Sequence, residues 1–520
     1  MAQHIIYSPP TGKKGSVYAT VVKSIRNGSK VRQERILYLG TVVDKEKGIY
    51  KNRERGIYRF NLKEGFLPLE NPIEENTSAP QAEVREELIL EFGNTFLLYQ
   101  YINKFDFYSV YHDLMPEGPE LDTLMSLIFF RILESKEAND YALSWWNMNY
   151  ARLVFPEARL SGPRISEFLV RLGAESTQRK FFDGYLSALY GKSKETPGVL
   201  IDSTGVPNAT GMSITQLSNH NGDINMEVRL IYVIDRRDGT PIYYRYCPGN
   251  IVDVSTLCTT IAELDQYGIA VNYAIMDAGY VSEKNLKELF ECEIPFVTRI
   301  APNRKIYKDV VAEGLSDLMS SKYSVDYGVR DVNIKRVETE IYGHKVYAYL
   351  GIDMDTRHQQ YKRTKKQGIN DKLSFEEIDK KLSELGIFLI LSSECIETSE
   401  VLQLYYTRQK VEQVFDISKN YGDLLPIRVH DEDAFRGHLL ITFMATVILH
   451  KLQQEVIAKR KKTDKINQHK ILYTARGQKC KVYKNTVVPQ EAIREVNEAY
   501  RILDIKCPCS IPRSAVQNVV

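Results

Sequence analysis

Tyr405, Arg408, Glu412 and Lys419 lie in the stretch LYYTRQKVEQVFDISKN, with spacings of 3, 4 and 7 residues. At about 100° per residue they fall within an arc of about 60° on one helix face. An apolar stripe of Leu404, Val411, Val414 and Phe415 runs beside them. A phenol, two cations and a carboxylate on one stripe suit a surface that meets phosphates and a metal together. Taken alone, the stripe reads better as an amphipathic helix with an Arg408–Glu412 pair at i,i+4, worth about 0.2–0.5 kcal/mol.

Two further carboxylates add to this. Asp202 closes the apolar run PGVLID, and Asp277 closes VNYAIMD. Each is predicted at the C-terminal end of a strand, the edge where open α/β sheets collect ligands. Either aspartate by itself is as well explained as a helix cap or turn former. Three carboxylates can hold two divalent cations, and hard oxygen donors suit Mg2+. Such a pair of ions activates a water or a 3′-hydroxyl and stabilises the leaving oxygen of a phosphodiester.

The elements that must position these residues follow from pattern. Residues 1–67 read as a small basic β-rich module, in which VYATVVKSIR and KVRQERILYL flank the turn dipeptide Asn27-Gly28. Its Lys23, Arg26, Lys30, Arg32 and Arg35 suit either a solvated strand face or DNA contact. Residues 68–83, rich in Pro, Glu, Asn and Ser, read as a linker. Residues 84–190 read as helices. Among them SGPRISEFLVRLG has Ser161 to cap it, Pro163 in its first turn and Gly173 at its exit. Arg164 and Arg171 on that helix fit a DNA groove or simple packing. Residues 191–300 alternate as three strands, helix, strand, helix, strand, an antiparallel meander with parallel additions. Residues 301–386 are strand-rich, with a basic, flexible segment RHQQYKRTKKQGINDK. Residues 387–430 contain the Glu412 helix, and residues 431–520 return to helices with a second basic run, KRKKTDKINQHK.

These residues carry a resemblance. Asp202-Ser203-Thr204, IMDAGY around Asp277, GTPIYYRYCPGNIVD and the Y-x2-R-x3-E-x6-K spacing of Tyr405, Arg408, Glu412 and Lys419 together resemble the DDE transposases of insertion sequences. The likeness spans about Gly198–Lys419 and is weaker in the N-terminal hairpin. It implies an RNase H-like mixed-sheet α/β core interrupted by a β-rich insertion, with a small N-terminal β module and helical flanking regions for DNA binding and dimerisation. The long interval between Asp277 and Glu412 accommodates that insertion. The resemblance implies Asp202, Asp277 and Glu412 as catalytic and metal-binding residues, and Tyr405, Arg408 and Lys419 as DNA-binding ones. The implied cofactor is Mg2+, with Mn2+ able to substitute. The implied reaction is strand cleavage at element ends followed by strand transfer into target DNA. Its partners are double-stranded DNA, as terminal inverted repeats and target, and a second copy in a homodimer on DNA. Some relatives trap a flipped base with an insertion tryptophan. Here Trp145 and Trp146 both precede the core, and an insertion tyrosine such as Tyr327 or Tyr342 is the candidate substitute for that stacking, with base flipping itself left open.

Composition bounds the rest. A net charge of +2 over 520 residues gives no global nucleic-acid footprint, so any basic surface is local. The start MAQHIIYSPPTGKKG lacks the apolar core of a signal peptide. The strongest apolar run, Leu439–Leu449, is eleven residues and reads as a buried helix rather than a membrane span. The seven cysteines, scattered apart from Cys507 and Cys509, read as reduced thiols of a cytoplasmic protein, which the resemblance implies is nucleoid-associated. Cys480, Cys507, Cys509 and His469 lack the spacing of a zinc knuckle. His220, Asn221, Asp223 and Asp253 are further polar candidates, Asp253 foremost as a helix cap. Two rival functions remain at this level. One is a domesticated descendant that binds DNA without cutting. The other is a carboxylate-dependent hydrolase, such as a glycosidase.

Overall fold

The computed structural model describes residues 3–9, 16–27, 30–52, 55–67, 88–104, 107–191, 198–208, 210–220, 223–251, 256–422, 424–460 and 466–518. The proposed linker, residues 68–83, lies outside them. The chain forms two compact units, Met1–Val84 and Arg85–Val520.

The first unit is one antiparallel meander of six strands in chain order. Its longest pair, Tyr18–Asn27 and Lys30–Asp44, places Asn27 opposite Lys30, the register expected of a two-residue hairpin loop. Ala19, Val21, Leu39, Tyr50, Tyr58 and Phe60 form its core.

The second unit is built on a ten-stranded sheet: β1 (Gly198–Pro207), β2 (Gln216–His220), β3 (Asp223–Asp235), β4 (Pro241–Pro248), β5 (Tyr273–Met276), β6 (Phe296–Arg299), β7 (Ser324–Tyr327), β8 (Arg330–Ile341), β9 (His344–Asp353) and β10 (Ile387–Ser392). The order across the sheet is β4-β3-β1-β5-β6-β10-β9-β8-β7, with β2 beside β3. β1, β3 and β4 pair antiparallel, β5 and β6 join in parallel, and β10 returns antiparallel. The fold is mixed α/β. β5 (YAIM) and β10 (IFLILS) are buried along their whole lengths, the pattern of central strands covered on both faces.

Five helices belong to this sheet and its site: α1 (Leu257–Gln266), α2 (Glu283–Glu291), α3 (Thr398–Tyr406), α4 (Gln409–Asn420) and α5 (Glu432–Lys459). α2 starts where Ser282 accepts a hydrogen bond from the Asn285 amide at 3.1 Å. α5 carries the apolar run and is about 42 Å long. Its residues from Leu439 to Leu449 are all buried. No helix among the described residues is long and apolar enough to cross a membrane. α5 packs on the helix Gly162–Leu172 with backbones nearly touching: a Cβ at Gly437 would meet the Leu169 carbonyl oxygen at 2.0 Å. That shorter helix buries Ile165, Phe168, Leu169 and Leu172. Its Arg164 and Arg171 are exposed and paired with Glu167 at 3.0 Å and Glu120 at 2.8 Å. A four-stranded sheet of Leu88–Glu91 with Lys479–Val482, Thr486–Pro489 and Ile511–Pro512 ties the two ends of the unit together.

Three sequence expectations are corrected. Asp202 is not at a strand end: β1 runs on to Pro207, because its ladder with β3 continues through Val206 and Pro207. The basic segment taken as flexible is the helix Met354–Asn370, started by Asp353, whose carboxylate accepts from the Thr356 amide at 2.9 Å. Tyr405 and Glu412 are not on one helix. Across Thr407 and Arg408 the backbone bonds run i to i+3, from the Thr407 amide to Leu404 and from the Arg408 amide to Tyr405. This 3₁₀-type junction separates α3 from α4. The Thr407 hydroxyl reinforces it by donating to the Leu404 carbonyl at 2.6 Å.

Candidate active site

β5 lies parallel to β1, with Tyr273 beside Gly198 and Ile275 beside Leu200. Continued two residues, that register brings Asp277 beside Asp202. Asp202 is buried in mid-strand, and its Oδ1 accepts from the Ser203 amide at 2.9 Å. Asp277 begins the turn Ala278–Tyr280 and accepts from the Ala278 amide at 2.8 Å. Two acids of like charge therefore face one another where two parallel strands part.

Arg408 answers that repulsion. Its Nη2 donates to Asp202 Oδ2 at 3.1 Å and to Asp277 Oδ2 at 3.2 Å. Its Nη1 lies 3.7 Å from Glu412 Oε1. One guanidinium thus gathers three carboxylates from β1, the end of β5 and α4. The 3₁₀ junction makes this possible, since it turns Arg408 toward the sheet just before α4 begins. Arg408 Nε is buried and has no hydrogen-bond partner. Burial pushes the Asp202 carboxyl up to about 6, against the pull of Arg408 and the Ser203 amide. Burial works against the Arg408 charge, but Asp202 and Asp277 outweigh it and hold the guanidinium above its usual range.

Tyr405 is buried at the end of α3, and its hydroxyl donates to Asp277 Oδ1 at 3.3 Å. Burial, then Asp277, keeps its phenol protonated well above the ordinary value. Lys419 is half-buried near the end of α4 and donates to Thr204 Oγ1 at 2.6 Å. Burial lowers its affinity for a proton. Asp202 and Thr204 are two apart on one strand and share a face. The five residues Asp202, Asp277, Tyr405, Arg408 and Glu412 come together directly, and Lys419 joins them through Thr204.

The packing behind the site is apolar and aromatic. Phe415 meets Tyr232 of β3 with ring centroids 5.2 Å apart, and the Tyr232 and Ser418 hydroxyls are 3.0 Å apart. Sequence reasoning missed Lys410, which donates to the carbonyls of Arg236 at 3.0 Å and Arg237 at 2.7 Å and pins α4 to the β3–β4 turn. A lysine in the first turn of a helix opposes the macrodipole, and that misplacement was its signal.

Other candidates sit elsewhere. Asn221 and Asp253 lie outside the described residues. His220 and Asp223 pair across β2 and β3. Tyr327 stacks on Tyr406 at 5.5 Å, so its ring already has a neighbour in α3. Tyr342 lies in a turn and is 40% exposed. Trp145 is buried, and Trp146 donates to the Phe155 carbonyl at 3.1 Å. His469 stacks on Tyr473 and lies 5.0 Å from the Tyr421 ring.

Among the described residues, no group of three or more His, Cys, Asp or Glu side chains is arranged to hold a metal ion as it stands. At the triad the guanidinium stands where a cation would. The donor set nonetheless fits a hard divalent ion: carboxylate oxygens from Asp202 and Asp277 converge within 3.2 Å of a single positively charged nitrogen.

Comparison with known proteins gives one family match and a solved structure. Residues 193–448 match the family model of the transposase DDE domain. Among solved structures, a piggyBac transposase synaptic complex with hairpin DNA is similar at 12% identity and a TM-score of 0.38, over 74% of this chain and 76% of that one. No curated protein sequence matches.

Proposed function

We propose, on the premise that this chain is a DDE transposase through residues 193–448, that Asp202, Asp277 and Glu412 are its catalytic carboxylates. They would hold Mg2+, or Mn2+ in its place, and the protein would cut double-stranded DNA at the ends of an insertion sequence and join those ends to target DNA. The observation that carries this reading is the single Arg408 guanidinium shared by three carboxylates from separate elements. A purely structural ion pair needs one acid. Three acids around one arginine leave a surplus of negative charge that calls for further cations. The strand order β4-β3-β1-β5-β6, with β5 and β6 parallel to β1, supports an RNase H-like core, and β7, β8 and β9 support a strand-bearing insertion.

When bound, divalent ions supply Lewis acidity, which makes a water or 3′-hydroxyl nucleophilic and stabilises a leaving oxygen. The chain's own residues do the rest. Tyr405 fixes the rotamer of Asp277, and the Ser203 amide fixes that of Asp202. Arg408 is forked and always charged, so it passes from carboxylates to a phosphate without changing its bonding pattern. Lys419 places a second cation two residues beyond Asp202 along β1, beside the path of the DNA backbone. Paired cutting of two ends calls for a two-fold dimer on DNA, and such a protein works where chromosomal DNA is, in the nucleoid.

A Mg2+-dependent nicking assay on the DNA ends that flank the gene tests this reading. Wild type should nick and join those ends, while Asp202→Asn, Asp277→Asn and Glu412→Gln bind them without cutting. Robust cutting by Asp277→Asn would end the proposal.

A further inference from the structure

The outer face of α4 carries a polar row of which the triad uses only Glu412. Gln409, Glu412, Gln413 and Asp416 recur at i, i+3, i+4 and i+7 and share one side of the helix. They border an open cavity of about 430 Å3. Its opposite wall is Gln453 of α5, with Asn467 and Gln468 at the start of the helix Gln468–Ala475. Ile417 and Tyr421 close its floor. The volume lies within the range of about 300–1,000 Å3 typical of small-ligand sites.

The lining is unusual in composition. Five of the nine described residues that line it are carboxamides: Gln409, Gln413, Gln453, Asn467 and Gln468. Among the described residues that line it, the charged ones are the acids Glu412 and Asp416, which repel a phosphate. Gln468 is only 3% exposed, yet its Oε1 has no hydrogen-bond partner, and neither has the buried Oε1 of Gln453. Buried acceptors are rarely left unmet. Carboxamides pair with base edges, accepting from an exocyclic amine and donating to a ring nitrogen or carbonyl.

We propose that this cavity is a base-reading subsite, which takes the edges of nucleobases next to the phosphate that is cut and so selects the end sequence. The proposal rests on the catalytic reading of Glu412, which borders the cavity itself. Any DNA strand held at Glu412 must pass this wall, and uncharged ring edges suit it where backbone does not. The exposed carboxamides of Gln409 and Gln413 each offer a donor and an acceptor, the pair that an adenine edge takes.

The test uses the full chain and duplex oligonucleotides that carry the inverted repeats flanking the gene, with each base pair bordering the cut replaced in turn. Wild type should cut natural ends faster than one or more replaced ends. Gln413→Ala and Gln468→Met should each shrink that preference by about 5-fold or more at one or two positions, leaving it intact at the others. Gln413 is exposed, so its variant carries the test even if Gln468→Met fails to fold. A wild-type preference profile in both variants overturns the proposal. So does a loss of cutting by one common factor on all ends, which marks a structural role. A wild type that cuts no end with Mg2+ overturns the catalytic reading as well, and it does so before any variant is made.

Discussion

Lys419 donates to Thr204 Oγ1 at 2.6 Å, which binds the end of α4 to β1 two residues past Asp202. Its partner is neutral, and its other contact is the Gly205 carbonyl at 3.4 Å. The carboxylate of Glu227 also attracts that charge, so the lysine is held in place with its charge only partly offset. Lys419→Met is expected to keep the fold and to lower the salt dependence of end binding by about one unit of slope. Binding constants measured against salt concentration for both proteins check this, and an unchanged slope with unchanged cutting makes the lysine a structural tie alone.

Arg408 bears on the cation site without any need for activity. Arg408→Met leaves Asp202, Asp277 and Glu412 facing one another with no cation. Stability in chelator should fall by about 1–3 kcal/mol. That is less than the 3–5 of a buried pair, because the Asp277 and Glu412 side chains are 39% and 59% exposed. Mg2+ should then raise the melting temperature of the variant more than that of wild type. Equal shifts in the two proteins would argue against a divalent site at these acids.

Tyr405→Phe removes one hydroxyl from a buried ring and one hydrogen bond from Asp277. Stability should change by about 1 kcal/mol or less. Cutting should need several-fold more Mg2+ to reach its midpoint, since Asp277 loses its fixed orientation. A metal titration of the cutting rate decides, and an unmoved midpoint would show that the Ala278 amide alone positions the acid.

His438 gives stability a pH dependence. It is buried in α5, and burial, then nearby Arg131, holds it neutral well below the ordinary histidine range. The unfolded chain takes up that proton near pH 6.5 and the folded chain does not. Its contribution is therefore complete above about pH 6.5 and is lost as pH falls, by up to about 1.4 kcal/mol per unit. Asp202 and Asp122, both raised to about 6 chiefly by burial, work in the opposite direction. Denaturant titrations of wild type and His438→Gln at about pH 7, 6 and 5 isolate the histidine. The variant should show the shallower acid decline, and parallel curves would assign that decline to other groups.

Much of the candidate site is legible in the sequence, for reasons that differ by residue. Asp277 was visible because an apolar run of strand length stops at it. Tyr405, Arg408, Glu412 and Lys419 were visible through their spacing alone. What spacing could not show was the 3₁₀ junction at Thr407, since one i to i+3 turn leaves the hydrophobic period almost unchanged. It was also silent on Arg408 turning inward to the acids, which depends on β1 and β5, far away in the chain. The helix Met354–Asn370 was missed because it buries only Gly368 and so shows no apolar stripe. Its cap, Asp353, looked like one more charge in a charged loop.

Strands β7, β8 and β9 lengthen the sheet that carries Asp202 and Asp277, and this constrains how the protein can be shortened. β10 pairs with β6 on one side and β9 on the other, and all six of its residues are buried. Excising residues 301–386 to obtain a minimal nuclease would strip β9 from β10. An unpaired ladder of Ile, Phe, Leu, Ile, Leu and Ser would then face water, which is a template for sticking chain to chain. A truncated enzyme built this way should precipitate unless β10 is given charges or a replacement neighbour. The same continuity links β8 to the strand that ends at Asp277 through only three intervening strands, β9, β10 and β6.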